Sequence, residues 1–228
     1  MKQERSARFA RLWGQVAGWL ATILIPFVLL FLGVRLLLSG FFLDVEYRLP
    51  GFPPDSYGFS LEDRLRISNQ ALDYLNSDAD IAVLAELTFP DGAPLFNARE
   101  LGHMQDVKNV LAPLMRIGFG LTLVVFGLLF LAQRRSWRGA LLAGIRRGGW
   151  VTVGLVGILG LLAVLSFWQF FTVFHSLFFE GDSWLFLYSD SLIRLFPMRF
   201  WQDAFLFAGA LALLGGLVLG LGLRRRAS

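Results

Sequence analysis

The chain contains no cysteine. Disulfides, a thiolate nucleophile and a lipidated cysteine of its own are therefore excluded, and the redox compartment is left open. Histidine is nearly as scarce, with His103 and His175 the only two. The sequence holds no Gly-x-Ser-x-Gly elbow, no His-Glu-x-x-His pair and no Gly-Lys-Ser/Thr phosphate loop. Serine-hydrolase and nucleotide-driven chemistry have no support from such a sequence. Charge is missing too, over stretches far longer than a soluble helix or strand period allows.

Apolar length takes the place of charge. Of 228 residues 56% are hydrophobic, with 7 Trp and 23 Phe. A bilayer core of about 30 Å needs roughly 20 apolar residues as a helix. Four uncharged stretches meet that length: between Arg11 and Arg35, between Arg116 and Arg134, from Gly148 to Phe179, and between Asp203 and Arg224. Backbone groups in lipid must be satisfied within the segment, so these stretches are helices. The alternating segments of about ten residues that mark a membrane β-barrel are absent. The first stretch exceeds the core of a cleaved signal and is followed by no small-x-small site, so it reads as an uncleaved anchor.

The expected fold class is an all-α membrane protein with four transmembrane helices and an extracytoplasmic insert between helices 1 and 2. As a single membrane domain, 1–228, its spans fall near 13–38, 110–132, 150–173 and 204–223. The insert is then 39–109, and a second outer loop covers 174–203.

Basic residues near span ends favour the cytoplasm. Lys2, Arg5, Arg8 and Arg11, then Arg134, Arg135, Arg138, Arg146 and Arg147, and finally Arg224, Arg225 and Arg226 fall on one side if both termini are cytoplasmic. Only Glu4 accompanies these twelve cations, so the net charge of +4 divides into about +11 inside and −7 outside. Trp13, Trp137 and Trp150 flank the inner side, and Trp168, Trp184 and Trp201 the outer, as interfacial tryptophans do. Basic clusters beside spans suit anionic inner-leaflet phospholipid. They do not form the basic face of a nucleic-acid-binding domain.

The insert opens with Leu49-Pro50-Gly51-Phe52-Pro53-Pro54. Ser60 followed by Asp63 reads as a helix N-cap with an acid three residues on. Leu61, Leu65, Leu72 and Leu75 then predict an amphipathic helix over 61–76. Pro90-Asp91-Gly92 is a turn signal. Asn97 and Glu100 form a second cap, starting a helix that runs toward span two, where Pro113 marks a kink or break. The glycines Gly209, Gly215, Gly216, Gly220 and Gly222 suit close helix packing in span four.

Topology puts His103 and His175 at similar depth on the outer face. Glu100 and Asp106 lie three residues either side of His103, so both share its helix face. A carboxylate beside an imidazole fixes its tautomer and raises its basicity. From the residues alone two readings stand, a base with its orienting acid or two histidines tolerating a wet boundary. Glu-x-x-His is also half of a paired-metal site. The residue three before His175 is Thr172, so the second half is missing. Arg35 and Arg116 end their spans on the outer side, either snorkelling to the interface or holding a lipid headgroup. Lys108, Asp182 and Asp190 read equally as structural ion-pair residues or as ligands.

Arg99-Glu100-Leu101-Gly102-His103-Met104-Gln105-Asp106-Val107-Lys108 resembles the Glu-x-x-His-Met-x-Asp-Val-Lys signature of the lipoprotein intramolecular transacylase (Lit) family. Phe174-His175 through Phe178-Phe179, then Asp182, Trp184, Asp190, Leu192-Ile193 and Phe196-Pro197, resembles that family's later segment. The four-span layout and the spacing of the two histidines match as well. The resemblance implies a bacterial cell-membrane enzyme, an acyltransferase acting on a diacylated lipoprotein. It would move the sn-2 acyl chain of the diacylglyceryl group to the α-amine of the same N-terminal Cys, giving a lyso-form lipoprotein. Being intramolecular, the transfer implies no cofactor and no metal. The resemblance assigns catalysis to His103 and His175, and marks Glu100, Asp106, Lys108, Asp182, Trp184 and Asp190 as supporting positions. The competing class is a non-enzymatic membrane protein that binds a lipid or partner; a metal-dependent membrane hydrolase comes third.

Overall fold

The computed structural model describes residues 2–222, with side chains described from residue 8 onward. The tail arginines Arg224, Arg225 and Arg226 and the side chains of Lys2 and Arg5, used in the charge argument, lie outside that description. The described chain is helical, and its only extended pairing is an isolated bridge between Thr88 and Pro94. The helices are α1 (Lys2–Leu37), α2 (Gly40–Tyr47), α3 (Leu61–Asn76), α4 (Ala82–Ala85), α5 (Ala98–Ala132), α6 (Arg138–Leu165), α7 (Phe167–Phe178), α8 (Ser191–Leu195) and α9 (Met198–Gly222). Four stretches are long and apolar enough to cross a membrane: Arg8–Leu37, Ala98–Ala132, Arg138–Leu165 and Met198–Gly222.

Contacts divide the chain into two compact units. The first comprises residues 2–34, 116–161 and 207–222. Its core joins Ala17, Ala21, Leu24, Ile25 and Val28 of α1 to Val125 and Ala132 of α5 and to Leu141 and Ile145 of α6. Small residues set the approach of these backbones. A Cβ added at Gly144 would meet the Gly18 carbonyl oxygen at 2.0 Å, and one at Gly149 would meet that of Gly216 at 2.6 Å. Between helices that both face apolar surroundings, such close approach is what supplies attraction. Thr22 adds a polar tie, donating to the Gly144 carbonyl at 3.1 Å.

The second unit is Arg35–Met115 with Leu162–Leu206. Its α3 has the bounds the leucine spacing predicts, and its capping box is complete. The Ser60 hydroxyl accepts from the Asp63 N–H at 3.0 Å, and the Asp63 carboxylate accepts from the Ser60 N–H at 3.3 Å. The buried face of α3 carries Arg64, Ile67, Ser68, Ala71, Leu72 and Tyr74. Ile67, Ala71 and Tyr74 pack with Leu84, Leu95, Phe96, Met104, Leu192 and Leu195. The Pro90-Asp91-Gly92 turn forms as expected, with Gly92 at φ +84°, a region only glycine enters without strain.

Two helix boundaries differ from the pattern. Of the kink or break expected at Pro113, the break does not occur, since α5 runs through it to Ala132. Apolar helices carry proline where neighbouring groups satisfy the freed carbonyl. The uncharged stretch 148–179 is not one helix, because α6 ends at Leu165 and α7 starts at Phe167. Ser166 between them is extended, and its hydroxyl accepts from the Gln169 N–H at 3.4 Å. Serine competes with the helix for its own backbone donors and so marks a new N-terminus.

Candidate functional site

Both histidines belong to the second unit. His103 lies one turn inside α5, and its placement begins at Asn97. The Asn97 side-chain oxygen accepts from the Glu100 N–H at 3.0 Å, while Glu100 Oε2 accepts from the Asn97 N–H at 2.7 Å. The other carboxylate oxygen accepts from the Leu192 N–H at 2.7 Å. Glu100 is 1% exposed, so one side chain caps α5 and ties its start to α8. The spacing placed this carboxylate beside His103 as an orienting acid; its oxygens go to the backbone of Asn97 and Leu192 instead. Asp190 reinforces the tie, accepting from Asn97 Nδ2 at 3.1 Å and from the Leu187 N–H at 2.8 Å.

A second anchor of α8 is the ion pair of Arg194 and Asp55, 3.0 Å apart with side chains 8% and 3% exposed. Burial alone would raise the Asp55 carboxyl, but hydrogen bonds from Arg194 and the Phe59 N–H hold it below the usual carboxylate range. The Arg194 guanidinium also sits 3.7 Å from the Phe59 ring centroid, a cation–π geometry. The Tyr47 hydroxyl donates to the Leu195 carbonyl at 2.9 Å and lies 2.6 Å from the Ser68 hydroxyl.

His175 lies on α7, four residues after Phe171, and both are buried. Its Nδ1 is 2.8 Å from the Phe171 carbonyl oxygen. A carbonyl only accepts, so Nδ1 carries the proton and the neutral ring keeps its lone pair on Nε2. Burial holds the imidazole below the ordinary histidine pKa, and the Phe171 hydrogen bond works in the opposite sense.

The rings of His103 and His175 are 6.3 Å apart between centroids and inclined by only 23°. Catalytic groups that share one substrate must reach its protons directly or through one water, and this separation meets that demand. Aromatic rings wall the pair. Phe179 and Phe186 stand edge-on to His103 at 4.9 and 5.4 Å. Phe171 and Trp184 lie 4.0 and 4.7 Å from His175. His103 is half-buried, and its Nδ1 has no hydrogen-bond partner among the described residues. Apolar walls around two imidazoles favour their neutral forms, which can accept a proton.

The remaining sequence candidates are dispersed. Lys108 donates to the Ala79 carbonyl and lies 4.0 Å from the Tyr74 ring centroid, engaged with α3 and the chain after it. Asp106 and Asp182 are exposed. Arg35 and Arg116 are also exposed; Arg35 donates to the Leu38 carbonyl at 3.1 Å, and Arg116 belongs to the first unit. Among the described residues no three His, Asp or Glu side chains converge as a metal-ligand set. Phe171 and Phe186 were not singled out by pattern. Phe171 had a local signal, four residues before His175, whereas Phe186 reaches His103 only through the fold.

Known proteins share this arrangement of helices. The model of the family described as lipoprotein intramolecular transacylase Lit matches residues 19–201. A protein of Aquifex aeolicus (strain VF5), named only as uncharacterized, is 32% identical over 197 residues, spanning 86% of this chain and 88% of its own. The solved structure of the membrane integral lipoprotein intramolecular transacylase Lit from Bacillus cereus aligns at a TM-score of 0.57 over 91% of this chain and 92% of that one, with 20% identity. A form of the same Bacillus cereus protein with one histidine changed to alanine aligns at 0.63 over 98% and 96%, again at 20% identity. At that identity the likeness is one of fold.

Proposed function

Because this chain belongs to the lipoprotein intramolecular transacylase (Lit) family, we propose that it moves the sn-2 acyl chain of a lipoprotein's diacylglyceryl-Cys to the α-amine of that same Cys. Family membership already makes it an acyltransferase-type membrane enzyme with a lipoprotein substrate. The finer reading concerns the diacylated form, the ester chosen and the residues that act. The observation that carries it is the 6.3 Å approach of two nearly parallel imidazoles drawn from distant parts of the chain.

The chemistry needs one proton moved. The free amine attacks the ester carbonyl carbon, and the carbonyl electron pair shifts to oxygen. A new N–C bond forms, the C–O bond to the glyceryl sn-2 carbon's oxygen breaks, and the alkoxide must be protonated. His175 offers Nε2 as the base, because its Nδ1–H is committed to Phe171. The proton taken from the amine then passes to the departing alkoxide, with His103 as relay or donor. Two neutral imidazoles therefore suffice, and no cofactor enters. Amine and ester sit on one substrate, so proximity comes without a second binding event.

In this reading the protein acts as one membrane domain with both termini in the cytoplasm. Segments 39–109 and 174–203 then lie outside, at the leaflet that holds the lipoprotein, beside bilayer phospholipid. Glu100 and Asp190 serve by fixing the start of α5 against α8, and Trp184 by walling His175. Arg35 and Arg116 are candidates for headgroup contact, whereas Lys108, Asp106 and Asp182 support the surrounding frame.

The test is expression in a host that lacks this activity, with lipoprotein N-termini read by mass spectrometry. Wild type is expected to give N-acylated lyso-lipoprotein, and His103→Ala and His175→Ala to leave diacylglyceryl-Cys unchanged. Unchanged lipoprotein with the wild-type enzyme would overturn the reading and favour a non-enzymatic lipid-binding role. Loss of activity on chelation would favour a metal-dependent hydrolase.

A further inference from the structure

The Trp184 side chain is only 9% exposed, and its indole Nε1–H has no hydrogen-bond partner among the described residues. An indole nitrogen can only donate. Buried donors without partners are rare, and one beside a reactive group calls for a chemical explanation. Packing does not provide it, since phenylalanine would fill much the same space without a stranded donor. The position is specific: the indole lies 4.7 Å from His175 between ring centroids, with 33° between the planes. The chain reaches this point through a tight turn after α7. Gly181 takes φ +62°, and the Leu185 N–H donates to the Asp182 carbonyl at 2.9 Å.

Acyl transfer places negative charge on the carbonyl oxygen as the carbon becomes tetrahedral. A pre-positioned donor in a water-poor site stabilises that charge more than the neutral ester. At the proposed site His175 is occupied with the amine proton, and its own N–H is tied to Phe171. Glu100 gives no donor there, because its oxygens accept from the backbone. The indole N–H is an uncommitted donor that can only donate, whereas His103 is engaged as proton relay in the proposed transfer.

We propose that Trp184 Nε1–H donates to the carbonyl oxygen of the ester under attack and holds it as the oxyanion forms. The inference rests on the transacylase reading above. The indole gives a hydrogen bond but no proton, so the amine proton still ends on the glyceryl oxygen and the acyl carbon still exchanges its C–O bond for C–N. Trp184 is then a catalytic residue by contact with the reacting carbonyl, not a spacer.

The test uses full-length protein in detergent with a synthetic diacylglyceryl lipopeptide. Trp184→Phe keeps the ring against His175 and deletes the N–H. The expected result is a kcat lower by about 10²-fold with KM little changed. A phosphonate analogue carrying an anionic tetrahedral centre should lose affinity by a similar factor, while the ground-state lipopeptide does not. A residue that only packs would instead move KM and thermal stability together, and that outcome overturns the proposal, as does wild-type kcat in the variant. Wild-type protein that fails to acylate the lipopeptide overturns the transacylase reading itself. If Trp184→Phe does not fold, the wild type decides. Binding the phosphonate to 15N-indole-labelled protein should shift one indole N–H resonance downfield, and an unmoved set of indole signals overturns the proposal.

Discussion

His103 and His175 are 72 positions apart in the chain, yet their ring centroids lie 6.3 Å apart. Their supports are unlike. His175 is fixed by a hydrogen bond to its own helix at Phe171, whereas His103 is held by aromatic edges and by the cap at the start of α5. If both act on one ester, removing either ring should be nearly as damaging as removing both. Single alanine variants are expected to lose about 10³-fold or more in kcat/KM. The double variant should add little, because residues acting as a unit are not additive. Additive losses in a lipopeptide assay would separate the two rings into independent roles.

The pH response follows from the burial of His175. Its pKa is held below the ordinary histidine value, chiefly by burial. A base must be neutral to work, so the acid limb of kcat/KM should lie below about 6.5. Trp184→Ala, which opens His175 to water, should move that limb upward. The same shift has a stability sign. Between the folded and unfolded pKa values the unfolded chain binds more protons, so stability is present above about 6.5 and declines as pH falls through that value. His175→Gln should flatten this part of a melting-temperature profile, and an unchanged slope would remove His175 as its source.

Much of this arrangement was legible in the sequence because its signals are local. Ser60 with Asp63 and Asn97 with Glu100 announce both helix starts, and the structure contains both reciprocal caps. Four apolar stretches were read from length alone. Longer-range pairings leave no such trace. Nothing near Asp55 points to Arg194, 139 positions away, and nothing near Glu100 points to the Leu192 N–H. Helical spacing assigned Glu100 to His103, but a buried backbone N–H in the first turn of α8, which has no acceptor within that helix, was the stronger claimant. Apolarity hid the break at Ser166, because hydropathy does not distinguish one long helix from two capped ones.

Glu100 accordingly matters more for assembly than for proton transfer. Glu100→Ala strands the buried Leu192 N–H and removes the acceptor of the part-buried Asn97 N–H. Each buried orphan costs on the order of 1–3 kcal/mol. Glu100→Gln keeps an acceptor for one of them and should lose roughly half as much. Both variants should reduce the melting temperature before they alter the pH profile of residual activity. A displaced pH profile in Glu100→Gln at wild-type stability would instead restore the orienting role.

Glu46 titrates against the opposite sign. It is 1% exposed on α2, and its carboxyl is pushed up to about 7 by burial first and then by the facing Asp203 carboxylate, with Arg199 opposing. Arg199 is itself hydrogen-bonded to Asp203. A raised carboxyl favours the folded state in its protonated form. That contribution is complete below the unfolded value of about 4.3 and is lost as pH rises through about 7. Glu46→Gln should therefore hold its melting temperature between about pH 4.5 and about 7, where the wild type declines. Parallel declines in the two proteins would place the titration elsewhere.

The glycines of the first unit give a prediction independent of any catalytic assignment. A methyl group at Gly144 would lie 2.0 Å from the Gly18 carbonyl oxygen, and that neighbour is backbone that cannot rotate aside. Helices α1 and α6 must then separate locally, losing close packing on both sides. Overpacking of this kind costs about 1–3 kcal/mol. Gly120 on α5 is the matched control, with nothing within 4 Å of an added Cβ. Gly120→Ala should be neutral or slightly stabilising, since alanine restricts the unfolded chain and favours the helix. Thermal melts of the two variants in the same detergent separate a steric contact from a general intolerance of alanine. Equal destabilisation would mean that the close approach of α1 and α6 contributes nothing particular to the fold.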